Sequence, residues 1–397
     1  MARVKALTDR TIAERFAEIK TEDQVWGDIS TETKQLAERI LESTLEDELQ
    51  HRLQAGRYKR TEVRRGYRNG GYWRTVASRW GVLDVYQPRA RAAQPGSTVL
   101  RRFQRREAEV DGLIRQAFLR GVSTRQVGTV LAPVLGWQPS AQTVSTIARS
   151  LDQEVQRYHW RRVEDDWVYL LLDGVTMKVK HPGGLQKKLV LVAYGIRADG
   201  TRQLIDFTLA KSESQAEWES FLEDLHRRGL EGTGLRLIAT DGGTGLGAAI
   251  GIVYPRVPHQ RCWAHKLRNV ASLLPRKIQA ACLREAKRIY QADNARQAGQ
   301  RFRTWKAEWQ ELAPKAVACL ERDLEELLTF YACPEEDWRK TRTTNAIERC
   351  FREVRRRTRP MSCFTNTASC ERIIYAVLHH LNASWSLVPS HQTTQAS

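Results

Sequence analysis

Residues Leu235–Leu246, LRLIATDGGTGL, constrain this chain more than any other stretch. An apolar, β-branched run ends on Asp241 and breaks at once into glycines. That is the pattern of a buried strand delivering a carboxylate to the mouth of a sheet. Trp167–Leu172, WVYLLL, repeats it and runs into Asp173-Gly174. A third acid, Glu348, stands far downstream in TTNAIERCFREVRRRTR, which reads as a basic helix.

The acids sit in a chain of opposite overall sign. Against 46 Asp and Glu there are 64 Lys and Arg, a formal net charge of +18. Such a surplus calls for a polyanionic partner, because phosphate neutralisation supplies most non-specific affinity for nucleic acid. No stretch reaches the ~18–20 apolar residues of a membrane helix, and the first thirty residues lack a signal-peptide core. No membrane partner is expected. Seven cysteines without a CxxC pair read as reduced thiols in a cytoplasmic protein.

The first ~28 residues receive no firm assignment. From Ser30, as N-cap, a helical stripe runs through Leu36, Ile40, Leu41, Leu45, Leu49 and Leu53 and closes near Gly56; it suits packing or dimerisation. Arg57–Arg68 is strongly basic. Asn69-Gly70-Gly71 is a turn signal, and the alternation in Tyr72–Val76 and Val82–Tyr86 predicts a short hairpin ending at Pro88. Between Asp111 and Leu151 a helix precedes two more. Ser123-Thr124 caps the one bearing Val127, Val130, Leu131 and Val134; Gly136 and Pro139 break it; Ser140 caps the one bearing Val144, Ile147 and Leu151. That spacing fits a helix-turn-helix, with Thr143, Ser145 and Arg149 facing bases.

From Asp166 the pattern becomes α/β. Strands are expected at Trp167–Leu172, Lys188–Ile196, Gln203–Leu209, Leu235–Thr240 and Val257–Arg261, with helices at Gln215–Arg228 and Thr244–Tyr254. Three meandering strands, then helix, strand, helix, strand describe a ribonuclease-H-like mixed five-stranded sheet with helices on both faces. Lys266 to about Tyr331 reads as an all-helical insertion. The boundaries that follow are 1–56, 57–108, 109–160, 161–265, 266–334 and 335–387, with a disordered tail at 388–397.

In that strand order the first and fourth strands are neighbours, so Asp173 and Asp241 would stand side by side with Glu348 approaching on a packed helix. Converging carboxylates suit Mg²⁺, and two divalent ions ~3.5–4 Å apart can neutralise the charge of phosphodiester transfer. Each acid also has a plainer use: Asp173 or Asp241 in an Asp-Gly turn, and Glu348 in an i,i+4 pair with Arg352. Glu164, Asp165 and Asp166 are expected to face solvent, and Glu353 lies about 140° round the helix from Glu348. The glycines from 242 onward form neither GxGxxG nor a GK[ST] loop, so no nucleotide cofactor is expected. Cys262-x-x-His265 has no second metal-spaced pair. A buried, structural Cys262 and a His265 aimed at the acids suit it better.

The segments LLLDGVTMKVK, IATDGGTGL, RCWAHKLRNV and TRTTNAIERCFREVRRRTRP, in this order, resemble bacterial insertion-sequence transposases of the Mutator type, a DDE family with a ribonuclease-H-like catalytic domain. RRGYRNGGYWRTVASRWGVLDVYQPRAR and GVSTRQVGTVL resemble that family's N-terminal half. The resemblance implies a catalytic triad of Asp173, Asp241 and Glu348, with C-x-x-H as a family feature. The acids lie 68 (173 to 241) and 107 (241 to 348) residues apart, and the helical insertion accounts for the longer gap.

The resulting expectation is a DNA transposase, nucleoid-associated and at least dimeric. It would bind terminal inverted repeats and cut and join DNA with two Mg²⁺ ions (Mn²⁺ as a substitute), in the copy-out, paste-in manner of many relatives. Asp173, Asp241 and Glu348 would hold the metals, His265 would assist, and Arg349, Arg352, Arg355, Arg356 and Arg357 would hold the backbone. A ribonuclease-H-like nuclease or resolvase, and a non-catalytic helix-turn-helix regulator, remain the competing readings.

Overall fold

The computed structural model describes residues 22–91, 97–101, 103–181, 183–358, 364 and 366–386. The expected tail and most of the unassigned opening segment lie outside the described residues. Contacts divide the chain into two units, one up to Arg149 and one from Ser150.

In the first unit, α1 spans Glu22–Leu53. Glu22 and Asp23 place negative charge in its first turn, where the helix dipole favours it. The helix therefore starts upstream of Ser30, which is internal and not a cap. Leu45, Leu49 and Leu53 are buried, but Leu36 and Ile40 of the expected stripe are 42% and 52% exposed. Leu45 joins Val76, Leu83, Val85 and Leu100 in a small core between the helix and a hairpin, β1 (Tyr67–Ser78) and β2 (Gly81–Arg91). Glu38 and Glu42, one turn apart on α1, accept hydrogen bonds from the amides of Asp84 (3.0 Å) and Tyr86 (2.8 Å). They thus satisfy an edge strand that would otherwise need water.

The hairpin turns at Arg79-Trp80, where Ser78 pairs with Gly81, and not at Asn69–Gly71. The latter lies inside β1, at a bulge between Arg68 and Gly71 where Gly70 has φ +61°. Turn chemistry was thus present at both places. The turn that prevails lets Val76 and Leu83 face the helix in register.

Three helices complete this unit: α2 (Ala108–Leu119), α3 (Thr124–Leu135) and α4 (Ala141–Arg149). Ser123 caps α3 and Ser140 caps α4, their Oγ atoms accepting the amides of Gln126 and Thr143. Gly136, at φ +62°, stops α3. Gly128 lets the turn fold back against the helix, since a Cβ there would lie 2.2 Å from the Pro139 carbonyl oxygen. Val130 and Val134, expected on the inner stripe, are 57% and 64% exposed, and Leu135 is buried instead. Leu151 does not continue α4; the chain breaks at Ser150 and Leu151 opens a new helix.

The second unit begins with α5 (Leu151–Trp160) and continues through β3 (Trp167–His181), β4 (Gly184–Arg197), β5 (Arg202–Ala210), α6 (Gln215–Arg227), β6 (Leu237–Thr240), α7 (Thr244–Val253) and β7 (His259–Arg261). The strands form one mixed sheet in the order β5-β4-β3-β6-β7. β3, β4 and β5 are antiparallel, while β6 and β7 run parallel to β3. Helices α6 and α7 cover one face with Trp218, Phe221, Leu222, Leu225, Leu246 and Ile250 against Leu170, Leu172, Leu191 and Ile238. Each of these buried side chains contributes ~1.5–3 kcal/mol.

β3 does not end at Leu172. It runs through Asp173 to His181, with Val175, Met177 and Val179 buried alternately. Asp173 is therefore a mid-strand residue opposite Val192 of β4, not part of an Asp-Gly turn. Of the acids before β3, Glu164 and Asp166 are exposed, as expected, while Asp165 is half-buried. Glu164 and Asp166 bind Arg197, and Asp165 accepts from the Gly232 amide at 2.7 Å.

After β7 the chain is helical: α8 (Trp263–Ser272), α9 (Arg276–Ile289), α10 (Ala295–Trp309), α11 (Pro314–Arg322), α12 (Leu324–Leu328), α13 (Trp338–Thr341), α14 (Asn345–Thr358) and α15 (Thr367–Ser386). α8 to α12 share a core of their own, with Trp263, Leu267, Val270, Ile289, Phe302, Trp305, Trp309, Leu320 and Leu327. Gln260 of β7 joins that core to the sheet, donating to the Leu327 carbonyl (3.0 Å) and accepting from the Phe330 amide (2.7 Å). The six cysteines among the described residues are free and buried. No helix among those residues is long and apolar enough to cross a membrane.

Candidate active site

Leu172 pairs with Thr240 across the parallel β3–β6 ladder, so Asp173, the next residue of β3, and Asp241, the residue just past the end of β6, are neighbours. The alternation of β3 puts Asp173 on the face opposite α6 and α7, with Leu171 and Val175. It is only 4% exposed. Burial, followed by the Asp241 charge, pushes its carboxyl up to about 7, although His265 and Thr344 pull the other way.

Asp241 sits in a tightly specified loop. Its Oδ1 accepts the Gly243 amide at 3.0 Å, so it does also serve as a turn residue. Gly242, at φ +91°, is required here, because a Cβ would fall 1.9 Å from Arg261 Nε. The Arg261 guanidinium donates to the Gly242 carbonyl and pairs with Asp323 at 2.9 Å. Asp323 in turn holds the buried Lys266 of α8.

Cys262 joins three elements. Its amide donates to the Thr240 carbonyl (2.7 Å), and its sulfur accepts from the Thr344 amide (3.3 Å) and hydroxyl (3.5 Å). The same hydroxyl lies 3.4 Å from His265 Nδ1. Burial pushes the Cys262 thiol up, but hydrogen bonds from His265 and Thr344 outweigh it, and the net shift is downward. The His265 imidazole is raised, first by Cys262 and then by Asp173. With Nδ1 held in this way, Nε2 points toward Glu348, 3.6 Å from Oε1.

Glu348 lies in the first turn of α14. The partner its sequence offered, Arg352, is not the one it takes. Arg268 Nη2 of α8 binds Glu348 Oε1 at 2.6 Å. A cavity of about 460 Å³ is lined by Asp173, Gly174, Val175, Thr176, His265, Arg268, Glu348, Phe351, Arg352 and Arg355. Arg352 and Arg355 follow Glu348 by four and seven residues, on one helical face. Arg349 is exposed, Arg356 pairs with Glu353 at 3.0 Å, and the Arg357 side chain is outside the described residues. In the first unit, Arg149 is exposed while Thr143 and Ser145 are half-buried; the Thr143 hydroxyl lies 3.0 Å from Ser140 Oγ.

Two residues of this neighbourhood escaped the sequence reading. Glu213, before α6, reaches over β3, where a Cβ on Gly174 would lie 2.5 Å from its Oε1. Burial and then the Asp241 charge raise its carboxyl. Arg268 stands three residues after His265 on α8, a spacing that marks a shared face. A second cavity, about 300 Å³ beside β5 and α6, is lined by His159, Asp206, Glu217, Asp224 and Glu371 and holds none of the expected acids.

Family comparison decides what kind of chain this is. Residues 7–387 match the model described as "Transposase, Mutator family".

The chain belongs to the Mutator family of transposases.

It is 34% identical over 352 residues to the transposase for insertion sequence element ISRM5 of Rhizobium meliloti (strain 1021), covering 89% of this chain and 88% of that one. It is 32% identical over 357 residues to the transposase for insertion sequence element IS256 in transposon Tn4001 of Staphylococcus aureus, covering 89% and 90%. Among solved structures, a chain of the simian T-cell lymphotropic virus intasome in complex with PP2A regulatory subunit B56 gamma aligns over 40% of this chain and 54% of its own. The identity is 13% and the TM-score 0.18, too slight to bear on the fold.

For a Mutator-family chain the question is whether these donors suit a divalent metal. Among the described residues no three His, Cys, Asp or Glu side chains converge on one point. The donor chemistry nevertheless fits. Asp173 and Asp241 bring hard oxygens from β3 and the end of β6, and burial, then the Asp241 charge, disfavours the charged form of Asp173. A divalent cation relieves the repulsion between them.

Proposed function

We propose that this transposase binds the ends of an insertion sequence and cuts and joins DNA there, with Asp173, Asp241 and Glu348 as its acidic triad on a ribonuclease-H-like core. What carries the reading is the adjacency of Asp173 and Asp241 on β3 and β6, with Asp173 and Glu348 lining one cavity. The three acids would hold Mg²⁺, or Mn²⁺ in its place. Bound there, the metal would supply charge neutralisation on the attacking and leaving oxygens of the phosphodiester.

The chain's own groups do the rest. The Arg352 and Arg355 guanidinium groups, along the cavity wall, suit backbone phosphate oxygens, which arginine binds through paired N–H donors. His265, oriented through Nδ1 by Thr344, presents Nε2 beside Glu348 to hold a water or phosphate oxygen. The capped helix pair α3 and α4 suits end recognition as a helix-turn-helix, with Arg149 exposed on α4. A dimer or larger assembly would bring two ends together. A copy-out, paste-in course, which the resemblance to many such elements implies, would suit this reading.

The test is incubation of the purified chain with a labelled duplex bearing the element's end, with Mg²⁺ or EDTA, for the wild type and Asp173→Ala. Mg²⁺-dependent nicking at the end with joined products, lost in the variant, is expected. End binding without cleavage in any divalent metal would leave a regulator, and cleavage indifferent to end sequence without joining would leave a nuclease.

A further inference from the structure

The ion pair between Arg268 and Glu348 has no place in the chemistry above, and it occupies the wrong carboxylate. Glu348 Oε1 receives Arg268 Nη2 at 2.6 Å and faces His265 Nε2 at 3.6 Å. A carboxylate whose Oε1 is so engaged cannot offer both oxygens to a metal. The other two acids of the triad are already neighbours on the sheet. Glu348 lines the same cavity as Asp173 but is paired there with Arg268.

We propose that Arg268 is a positioning residue, whose pairing with Glu348 holds that carboxylate back until a DNA phosphate takes the guanidinium. The inference rests on the triad reading above. Three features support it. Arg268 is 56% exposed at its side chain and lines the same cavity as Arg352 and Arg355, so a phosphate entering that cavity meets it. Exposed ion pairs are worth only about 0–1 kcal/mol, so the exchange is not opposed by a deep well. A backbone phosphodiester offers guanidinium the same paired oxygens and single charge as a carboxylate, with the neighbouring phosphates of the strand adding to the attraction. DNA entry and metal binding then become coupled: each favours the state in which Arg268 has left Glu348.

The experiment measures Mn²⁺ binding without DNA, by loss of the free-ion electron paramagnetic resonance signal, for wild type, Arg268→Ala, Glu348→Gln and the double variant. Arg268→Ala is expected to bind Mn²⁺ roughly two- to fivefold tighter than wild type. In the Glu348→Gln background, the same change should have little effect. Equal tightening in both backgrounds would mean a long-range charge effect and would overturn the proposal, as would no tightening in either. Asp173→Asn, run alongside, tests the parent reading. If Mn²⁺ binding survives it unchanged, or the wild type binds none, the triad falls and this inference with it. If Asp173→Asn abolishes binding but Arg268 and Glu348 show no coupling, only the inference falls. Binding of an end-bearing duplex in Ca²⁺ gives a second readout: Arg268→Ala should weaken it and lower the salt slope by about one. Arg268→Lys should restore part of the binding, and an unchanged slope in Arg268→Ala would overturn the phosphate half of the proposal.

Discussion

Asp173 and Asp241 follow directly after Leu172 and Thr240, which pair across the parallel strands β3 and β6. The ladder fixes the backbone up to both residues, and the Gly242 turn fixes where Asp241 leaves it. Their separation is a property of the sheet, whereas Glu348 rides on a helix whose placement depends on side-chain contacts.

Replacing Asp241 by Asn keeps the turn's acceptor but removes the charge. Cleavage should fall by at least ~10²-fold, with binding to the element's end unchanged. Gel-shift and nicking assays on the same duplex check this; normal cutting by the variant would remove Asp241 from the triad.

Asp173 carries a pH signature. Burial pushes its folded carboxyl up to about 7, against ~3.9 for an ordinary Asp. Because the folded value is the higher one, the metal-free protein loses stability from this group as pH rises from about 4 to 7, and the loss is complete above that. Asp173→Asn should therefore abolish cleavage yet stabilise the metal-free fold at pH 8, by up to roughly 4 kcal/mol, with no gain near pH 4. Urea denaturation in EDTA at the two pH values measures it; equal stabilities at pH 8 would contradict the burial argument.

Thr344→Val removes a hydroxyl shared by Cys262 and His265 that also favours the charged form of Asp173. The cost to stability should be about 1 kcal/mol. The acid limb of the cleavage pH profile should move upward, while a Thr344→Ser variant keeps it in place. A profile unmoved by the valine would mean that Thr344 does not act on Asp173.

Gly128→Ala would drive a methyl group into the Pro139 carbonyl. The turn between α3 and α4 should open, costing ~1–3 kcal/mol and weakening binding to the element's end. The acidic site lies in the other unit, so Mn²⁺ binding should be unaffected. End binding at wild-type strength in a destabilised variant would argue against α3 and α4 as the reading element.

Much of the sheet was legible because burial writes itself into sequence. Leu170–Leu172, Val190–Ala193 and Leu237–Ala239 are buried on both faces, so their runs are continuous, and the order of strands and helices followed from spacing. The length of β3 was not read, although Val175, Met177 and Val179 alternate plainly, because Asp173-Gly174 looked like a break. A Cβ on Gly174 would meet the Glu213 carboxylate, so the glycine sits inside a continuous strand instead of ending it. The hairpin turn failed for a related reason: two turn-competent segments compete, and only the register against α1 decides between them. Glu213 reaches the acids through tertiary packing alone, which no local pattern encodes; Arg268 shares a helical face with His265, but its pairing with Glu348 is tertiary. Glu348 was placed by its helix and its family motif, but its partner was not.

The carboxamide of Gln260 has consequences for synthesis. Its two partners, Leu327 and Phe330, lie 67 and 70 residues further on, and the Cys262 sulfur waits 82 residues for Thr344. A ribosome that has made both aspartates has therefore not yet made what closes the strand beside them. A product terminated before residue 327 would carry Asp173 and Asp241 on a sheet whose last strand lacks the Leu327 and Phe330 contacts that cover it. Frameshifted or prematurely ended copies of the gene should yield chains that proteases clear, not partial enzymes that nick the host's DNA.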